Sequence, residues 1–188
     1  MFIEKYIKES IDIKTNILKN SQTLETIQSV VCNIVDAIKN GNKILLAGNG
    51  GSAADAQHIA TEFVVKFYKK RNAYQAIALT TDTSILTAIS NDDSFEEVFS
   101  RQIEALGVKG DIFIAISTSG QSKNVINALK KAKEKGLQTI GLTGEKPSEM
   151  DKYCDIIIKV PSPDTPKIQE AHIMLGHIIC ALVEQEIN

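Results

Sequence analysis

Two short apolar runs in this chain each break off in a turn rich in glycine, amide and hydroxyl groups, and each turn leads straight into a helical pattern. The first run is Lys43-Ile44-Leu45-Leu46-Ala47, followed by Gly48-Asn49-Gly50-Gly51-Ser52. The second covers residues 111–116 and is followed by Ser117-Thr118-Ser119-Gly120-Gln121-Ser122. Runs so short and so apolar read as buried strands, and strands alternating with helices imply a parallel sheet with right-handed crossovers. Residues 76–79, 139–142 and 155–160 supply three more strands, and helical patterns cover 52–69, roughly 83–105, 123–135 and 166–185. The expected fold is α/β: a doubly wound, flavodoxin-like sandwich with a five-stranded parallel sheet. Ligands of such sheets bind beyond the carboxyl ends of the strands, where both special turns fall.

Residues 1–40 read as two amphipathic helices. Ile7, Ile11, Ile17 and Leu18 mark one apolar stripe, and Ile27, Val30, Val31, Ile34, Val35 and Ile38 a second. Ser21 or Thr23 is the expected cap between them. We expect one domain over 1–188, with 1–40 a helical pair outside the α/β core of 41–188. The stripes of that pair need a partner, which a second subunit would supply.

Composition narrows the function classes. The formal net charge is −2, tryptophan is absent and aromatics are 5%, so neither a basic surface nor a base-stacking surface is expected and nucleic acid is not an expected partner. No run is long and apolar enough to span a membrane, and the first residues lack a signal-peptide layout. Cys32, Cys154 and Cys180 are scattered with no C-x-x-C, which fits a reducing cytoplasm.

The second turn points to an anion. Backbone N–H groups at a helix start are unpaired and the helix dipole adds positive charge there. Hydroxyls add donors without bulk, and a helix cap needs only one of them. The pattern lacks the Gly-Lys-Ser/Thr of nucleotide-triphosphate loops, so the expected guest is a phosphate on a sugar. In the first turn the glycines let the backbone approach a ligand and Asn49 offers an amide. His58 and Glu62 follow at i, i+4 and project from one helix face, a spacing that suits a divalent metal such as zinc and equally an ordinary surface pair. The other histidines, His172 and His177, lie on the last helix with Gln169. Gln169 and His177 are about 12 Å apart in helix rise and offset by about 80°, so a shared ligand requires both side chains to reach inward. His172 and Cys180 read as buried helix residues.

Taken together, the blocks AGNGGSAADAQHIATE, ALTTDTSILTAISND, VFSRQIEALGVKGD, ISTSGQSKNV, IGLTG and IQEAHIMLGHI resemble the sugar isomerase (SIS) domain and, within it, the phosphoheptose isomerase family. They cover nearly the whole chain in the family's order. The resemblance implies conversion of sedoheptulose 7-phosphate to D-glycero-D-manno-heptose 7-phosphate, the entry to bacterial heptose for lipopolysaccharide or capsule. It implies that Ser117, Thr118, Ser119 and Ser122 hold the phosphate. Asn49, Gly50, Gly51, Asn91 and Asp92 would contact the sugar. His58, Glu62, Gln169 and His177 would bind zinc, Glu62 and His177 would be the acid–base pair, and Gln169 would also touch substrate. A homotetramer is implied as well. Two departures stand out: Glu145-Lys146-Pro147-Ser148 replaces the family's frequent Asp-Gly-Gly-Lys, and Lys66 stands where relatives often carry Arg. The first lies far in sequence from the matched sites, so a structural difference is expected there. Lys66 lacks the planar fork of Arg.

An aldose–ketose isomerisation needs a base over the carbon acid, a proton donor at oxygen and stabilisation of the oxyanion. The rival readings are another sugar-phosphate isomerase of the same fold, or a non-catalytic SIS module that binds sugar phosphates or docks on proteins. The presence of both Glu62 and His177 favours catalysis.

Overall fold

The computed structural model describes residues 1–187. Helices α1 (Phe2–Lys19) and α2 (Ser21–Lys39) are parted by Asn20 alone. Its side chain accepts the Thr23 N–H at 3.1 Å, so Asn20 rather than Ser21 or Thr23 is the cap. Strands β1 (Ile44–Gly48), β2 (Ala76–Ala78), β3 (Ile112–Ile116), β4 (Gln138–Gly144) and β5 (Ile156–Val160) form a sheet of order β2-β1-β3-β4-β5, parallel throughout. This is the flavodoxin-like order, and its direction reverses between β1 and β3. Gly48 pairs in register with Ile116, so the two special turns leave the sheet side by side at that point.

The strands read as continuous apolar runs because both faces are covered. Ile44 and Leu46 of β1 face one core with Ile112, Ile114, Ile140 and Leu142. Helices α2, α3 (Gly51–Val64) and α7 (Thr165–Ile187) pack on that side. Leu45, Ala47, Phe113 and Ala115 face the other core, beneath α5 (Ser100–Leu106) and α6 (Lys123–Glu134). Helix α4 (Thr83–Asp92) lies over its margin through Leu86 and Ile89.

The two N-terminal helices have different fates. Val30, Val31 and Ile34 of α2 are fully buried against the sheet side of α7, so its stripe finds a partner within the chain. Helix α1 buries only Ile13, Ile17 and Ser10, while Phe2, Ile3, Ile7, Ile11 and Leu18 stay exposed. With Leu24, Met174 and Ile178, the end of α1 borders an apolar groove of about 360 Å³. The periodicity is right for both helices, but most of the exposed apolar face belongs to α1, with Leu24 of α2 beside it.

Helix α3 stops at Val64, five residues before the expected 69. The cause lies on α7. The Glu184 carboxylate accepts the N–H groups of Phe67, Tyr68 and Lys69 at 3.0, 2.7 and 2.6 Å, which removes those donors from a helical ladder. Arg71 then caps the open end, with Nη2 on the Glu62 carbonyl at 2.8 Å and Nη1 on the Phe63 carbonyl at 2.9 Å.

His172 is fully buried, as its position on the last helix predicts. Its Nε2 lies 3.2 Å from the Thr143 carbonyl, and Nδ1 has no partner within the protein. Burial pulls its pKa down to about 4 despite that hydrogen bond. The folded chain therefore holds this imidazole neutral between about pH 4 and 6.5, where the unfolded chain protonates it. Stability should rise with pH across that window, by up to about 3 kcal/mol from this group. Urea midpoints measured from pH 4 to 7 should show the slope, and His172→Gln should flatten it. A variant with an unchanged slope would assign the pH dependence to other groups.

Candidate active site

The turn after β1 and the turn after β3 are tied together by two side-chain amides. Asn49 Nδ2 donates to Asn124 Oδ1 at 2.9 Å and Asn124 Nδ2 donates to Asn49 Oδ1 at 2.9 Å. Asn124 Oδ1 also accepts the Val125 N–H at 2.9 Å, which fixes the amide's orientation at the start of α6. Asn124 was not foreseen from sequence. An amide two residues past the last serine of the turn, in the first turn of a helix, is the signal that marks it.

In the second turn three hydroxyls converge. Ser117 Oγ is 3.0 Å from Ser122 Oγ and 3.5 Å from Ser119 Oγ, and Ser119 Oγ accepts the Gln121 N–H at 3.2 Å. Ser122 occupies the N-cap of α6 but makes no side-chain cap bond, so its hydroxyl is not committed to the helix. Gly120 has φ +62°, and a Cβ there would meet Ser148 Oγ at 2.3 Å. The turn thus needs glycine for both its backbone and its neighbour.

Ser148 belongs to the segment that departs from the family pattern; it is far from the serine turn in sequence, but the structure brings it beside that turn. Thr118 and Ser119 line a cleft of about 310 Å³ whose other wall is Glu145, Lys146 and Pro147. The Met150 N–H donates to the Gly120 carbonyl at 3.2 Å. Strands β3 and β4 are neighbours, so segments far apart in sequence leave the same sheet edge together.

Helix α3 carries His58 and Glu62, and α7 carries His177 across from them. His58 Nε2 lies 2.8 Å from His177 Nε2 and 3.3 Å from Glu62 Oε1. The three ligand atoms all fall within 4.8 Å of one another. Two donors on a tetrahedral zinc, each bound at 2.0–2.1 Å, stand about 3.3 Å apart. Two imidazole nitrogens and a carboxylate oxygen at these separations therefore fit a divalent metal. His58 is half-exposed and Glu62 partly so, which leaves the group open to a small ligand. The close approach of α3 and α7 depends on Gly176, where a Cβ would sit 2.5 Å from Ile59 Cδ1 and 2.8 Å from its Cγ1.

Gln169 is bonded to a residue that sequence reasoning passed over. Its Nε2 donates to Asp55 Oδ1 at 2.6 Å. Asp55 is buried, its Oδ2 has no partner within the protein, and burial pushes its pKa up to about 6 against the Gln169 hydrogen bond. A carboxylate on the buried face of a helix three residues before His58 is the signal. With Nε2 so engaged, the carbonyl oxygen is the end of Gln169 left to act as a ligand. Phe67 was also missed; its ring centroid is 5.6 Å from that of His177.

Asn91 and Asp92 are not brought to these groups. They end α4, exposed, with Asn91 Nδ2 donating to Asp92 Oδ1 at 2.8 Å. Asp92 lines a separate cleft with Ile89 and Arg101. Lys66 lies in the irregular segment beyond α3, exposed. Cys180 is buried and burial raises its thiol pKa, as expected of a core residue.

The geometry offers hydroxyls for an anion at the turn after β3 and presents a carboxylate and two imidazoles between α3 and α7. Comparison with known proteins identifies the family. Residues 5–144 match the model of the SIS domain family. The chain is 56% identical over 186 residues to the phosphoheptose isomerase of Aneurinibacillus thermoaerophilus, covering 99% of this chain and 94% of that one. Among solved structures it superposes on the phosphoheptose isomerase of Neisseria gonorrhoeae with a TM-score of 0.91 at 41% identity, over 97% of both chains. It superposes on that of Francisella tularensis with a TM-score of 0.92 at 33% identity, over 97% of this chain and 96% of that one.

Proposed function

The chain belongs to the SIS-domain proteins and, within them, to the phosphoheptose isomerases, and on that premise we propose that it converts sedoheptulose 7-phosphate to D-glycero-D-manno-heptose 7-phosphate. The observations that support the reading are a hydroxyl-lined turn after β3 and, in the same chain, a carboxylate–imidazole triad between α3 and α7. Incubation of the purified protein with sedoheptulose 7-phosphate should give the aldose. A protein that binds the sugar phosphate without turning it over would favour a non-catalytic module.

In this reading Ser117, Thr118, Ser119 and Ser122 hold the phosphate, and Asn49, Gly50 and Gly51 hold sugar hydroxyls beside them. Anchoring the phosphate fixes C1 and C2 near α3 and lowers the cost of orientation. Glu62 takes the proton from carbon and returns it to the neighbouring carbon, which passes through an enediol. His177 moves the proton at oxygen. Because hydrogen is redistributed within one molecule, no redox cofactor takes part. His58, Glu62, Gln169 and His177 would hold zinc, which when bound supplies polarisation of the carbonyl and stabilisation of the oxyanion. Removal of the metal by chelation should lower activity and zinc should restore it.

Replacing Ser119 and Ser122 together with Ala is expected to raise KM about 10-fold or more with a smaller change in kcat, since the phosphate is held alike in ground and transition states. Unchanged affinity for inorganic phosphate in the double variant would move the anion site elsewhere.

The exposed apolar face of α1 and its groove with α2 and α7 support assembly into a homo-oligomer, by family a tetramer. Asn91 and Asp92 would then reach sugar from a neighbouring subunit. Sedimentation at micromolar protein should show one large species, and an active monomer would overturn this. No helix among the described residues is long and apolar enough to cross a membrane. We place the enzyme in the cytoplasm, at the start of heptose supply to lipopolysaccharide or capsule.

A further inference from the structure

Glu184 and Arg71 form an ion pair that is almost wholly inaccessible to solvent, with Arg71 Nε on Glu184 Oε2 at 3.0 Å. Each partner also binds backbone. Glu184 takes the N–H groups of three consecutive residues, Phe67 to Lys69, and Arg71 takes the carbonyls of Glu62, Phe63 and Asn72. The Arg71 guanidinium also lies 3.8 Å over the Tyr74 ring. Glu184 is seven residues after His177 on α7, two turns along nearly the same face. The pair therefore joins the helix that carries His177 to the carbonyl of the residue expected to act as base.

The bonds to residues 67–69 have a second effect. They fix the backbone of Phe67, whose ring packs 5.6 Å from His177 and 4.4 Å from Tyr68. One carboxylate thus sets both the end of α3 and the aromatic wall behind His177. A buried pair needs its remaining donors and acceptors satisfied, and here the backbone groups that satisfy it include the carbonyl of Glu62 and the N–H of Phe67, one on the helix of the triad and one beside His177.

We propose that Arg71 and Glu184 are positioning residues that set the spacing of Glu62, His58 and His177. The proposal rests on the reading of those three as the catalytic and metal-binding group. Removing a partner that orients ligands commonly costs 10–100-fold in metal affinity or activity.

Arg71→Lys keeps the charge but loses the planar fork that reaches the carboxylate and three carbonyls at once. Glu184→Gln keeps the shape and loses the acceptor for part of the backbone set; it serves should the first variant fail to fold. For each full-length variant, zinc affinity is measured by competition with a chromogenic chelator, kcat and KM with sedoheptulose 7-phosphate, and inorganic phosphate binding by calorimetry. All are read well below the melting temperature. The expected result is a fall of about 10-fold or more in zinc affinity and in kcat, with phosphate affinity unchanged. A lower melting temperature with wild-type zinc affinity and kcat would overturn the proposal and leave the pair a structural one. Should the wild-type protein take up no zinc, the metal reading fails by itself. Positioning is then decided by kcat: a fall in the variants supports it, and wild-type turnover overturns it.

Discussion

Glu62→Gln is expected to lower kcat by about 10²-fold or more while leaving phosphate binding intact. The amide keeps the size and the hydrogen-bonding reach of the side chain but has no basicity. Glu62 sits on α3, whose N-terminus follows the glycine-rich turn after β1, and its Oε1 is 3.3 Å from His58 Nε2. In the proposed reading this carboxylate works on the sugar carbons, and the turn after β3 holds the phosphate. Exchange of the substrate's C1 hydrogen with solvent deuterium should fall together with kcat. Because Glu62 is also an expected ligand, metal content must be measured beside the rate. A metal-replete variant with near-normal turnover and exchange would remove Glu62 from proton transfer and leave His177 as the base.

Gly176→Ala is expected to cost about 10–100-fold in kcat with a modest loss of stability. Alanine gains about 1 kcal/mol over glycine in a helix interior, and overpacking a core contact costs about 1–3 kcal/mol, so the net loss is at most about 2 kcal/mol. The geometry has no such compensation. The new methyl would lie 2.5 Å from Ile59 Cδ1, and Ile59 is buried, so α3 and α7 must separate or Ile59 must leave its rotamer. His58 immediately precedes Ile59 and His177 immediately follows Gly176, and displacing reacting groups by about 1 Å can cost 10²-fold. Adding Ile59→Val removes the nearer of the two clashing atoms and should restore part of the rate. Wild-type kcat in the single variant would show that helix spacing at this contact does not govern the triad.

The strands and both turns were legible because they rest on local patterns. Apolar runs such as Ile44–Gly48 end in glycine, and the hydroxyls of Ser117 to Ser122 stand before a helix. Even the pairing of α3 with α7 was anticipated only through family likeness, since His58 and His177 are separated by over a hundred residues with no local link. What stayed hidden follows from long-range contacts. The early end of α3 is dictated by Glu184 on another helix, so nothing in residues 64–69 announces it. The cleft wall at Glu145 to Pro147 is near the phosphate turn because β4 lies beside β3, and distance along the chain is no guide across a parallel sheet. Asp55 and Asn124 were passed over for a different reason: each is a single polar residue in a helical run, and only its partner, Gln169 or Asn49, gives it a role.

The reciprocal amides of Asn49 and Asn124 bear on which sequences this fold can accept. Each amide both gives and takes a proton, and the Val125 N–H decides which way round Asn124 must stand. Asn49 inherits its orientation from that choice. An aspartate at either position would set an acceptor against an acceptor, while a small apolar residue would strand the other amide. A single substitution at either position is therefore costly, whereas a paired exchange that restores one donor and one acceptor is not. Drift across this junction must proceed two positions at a time, and the two turns it joins are bound to diverge in step.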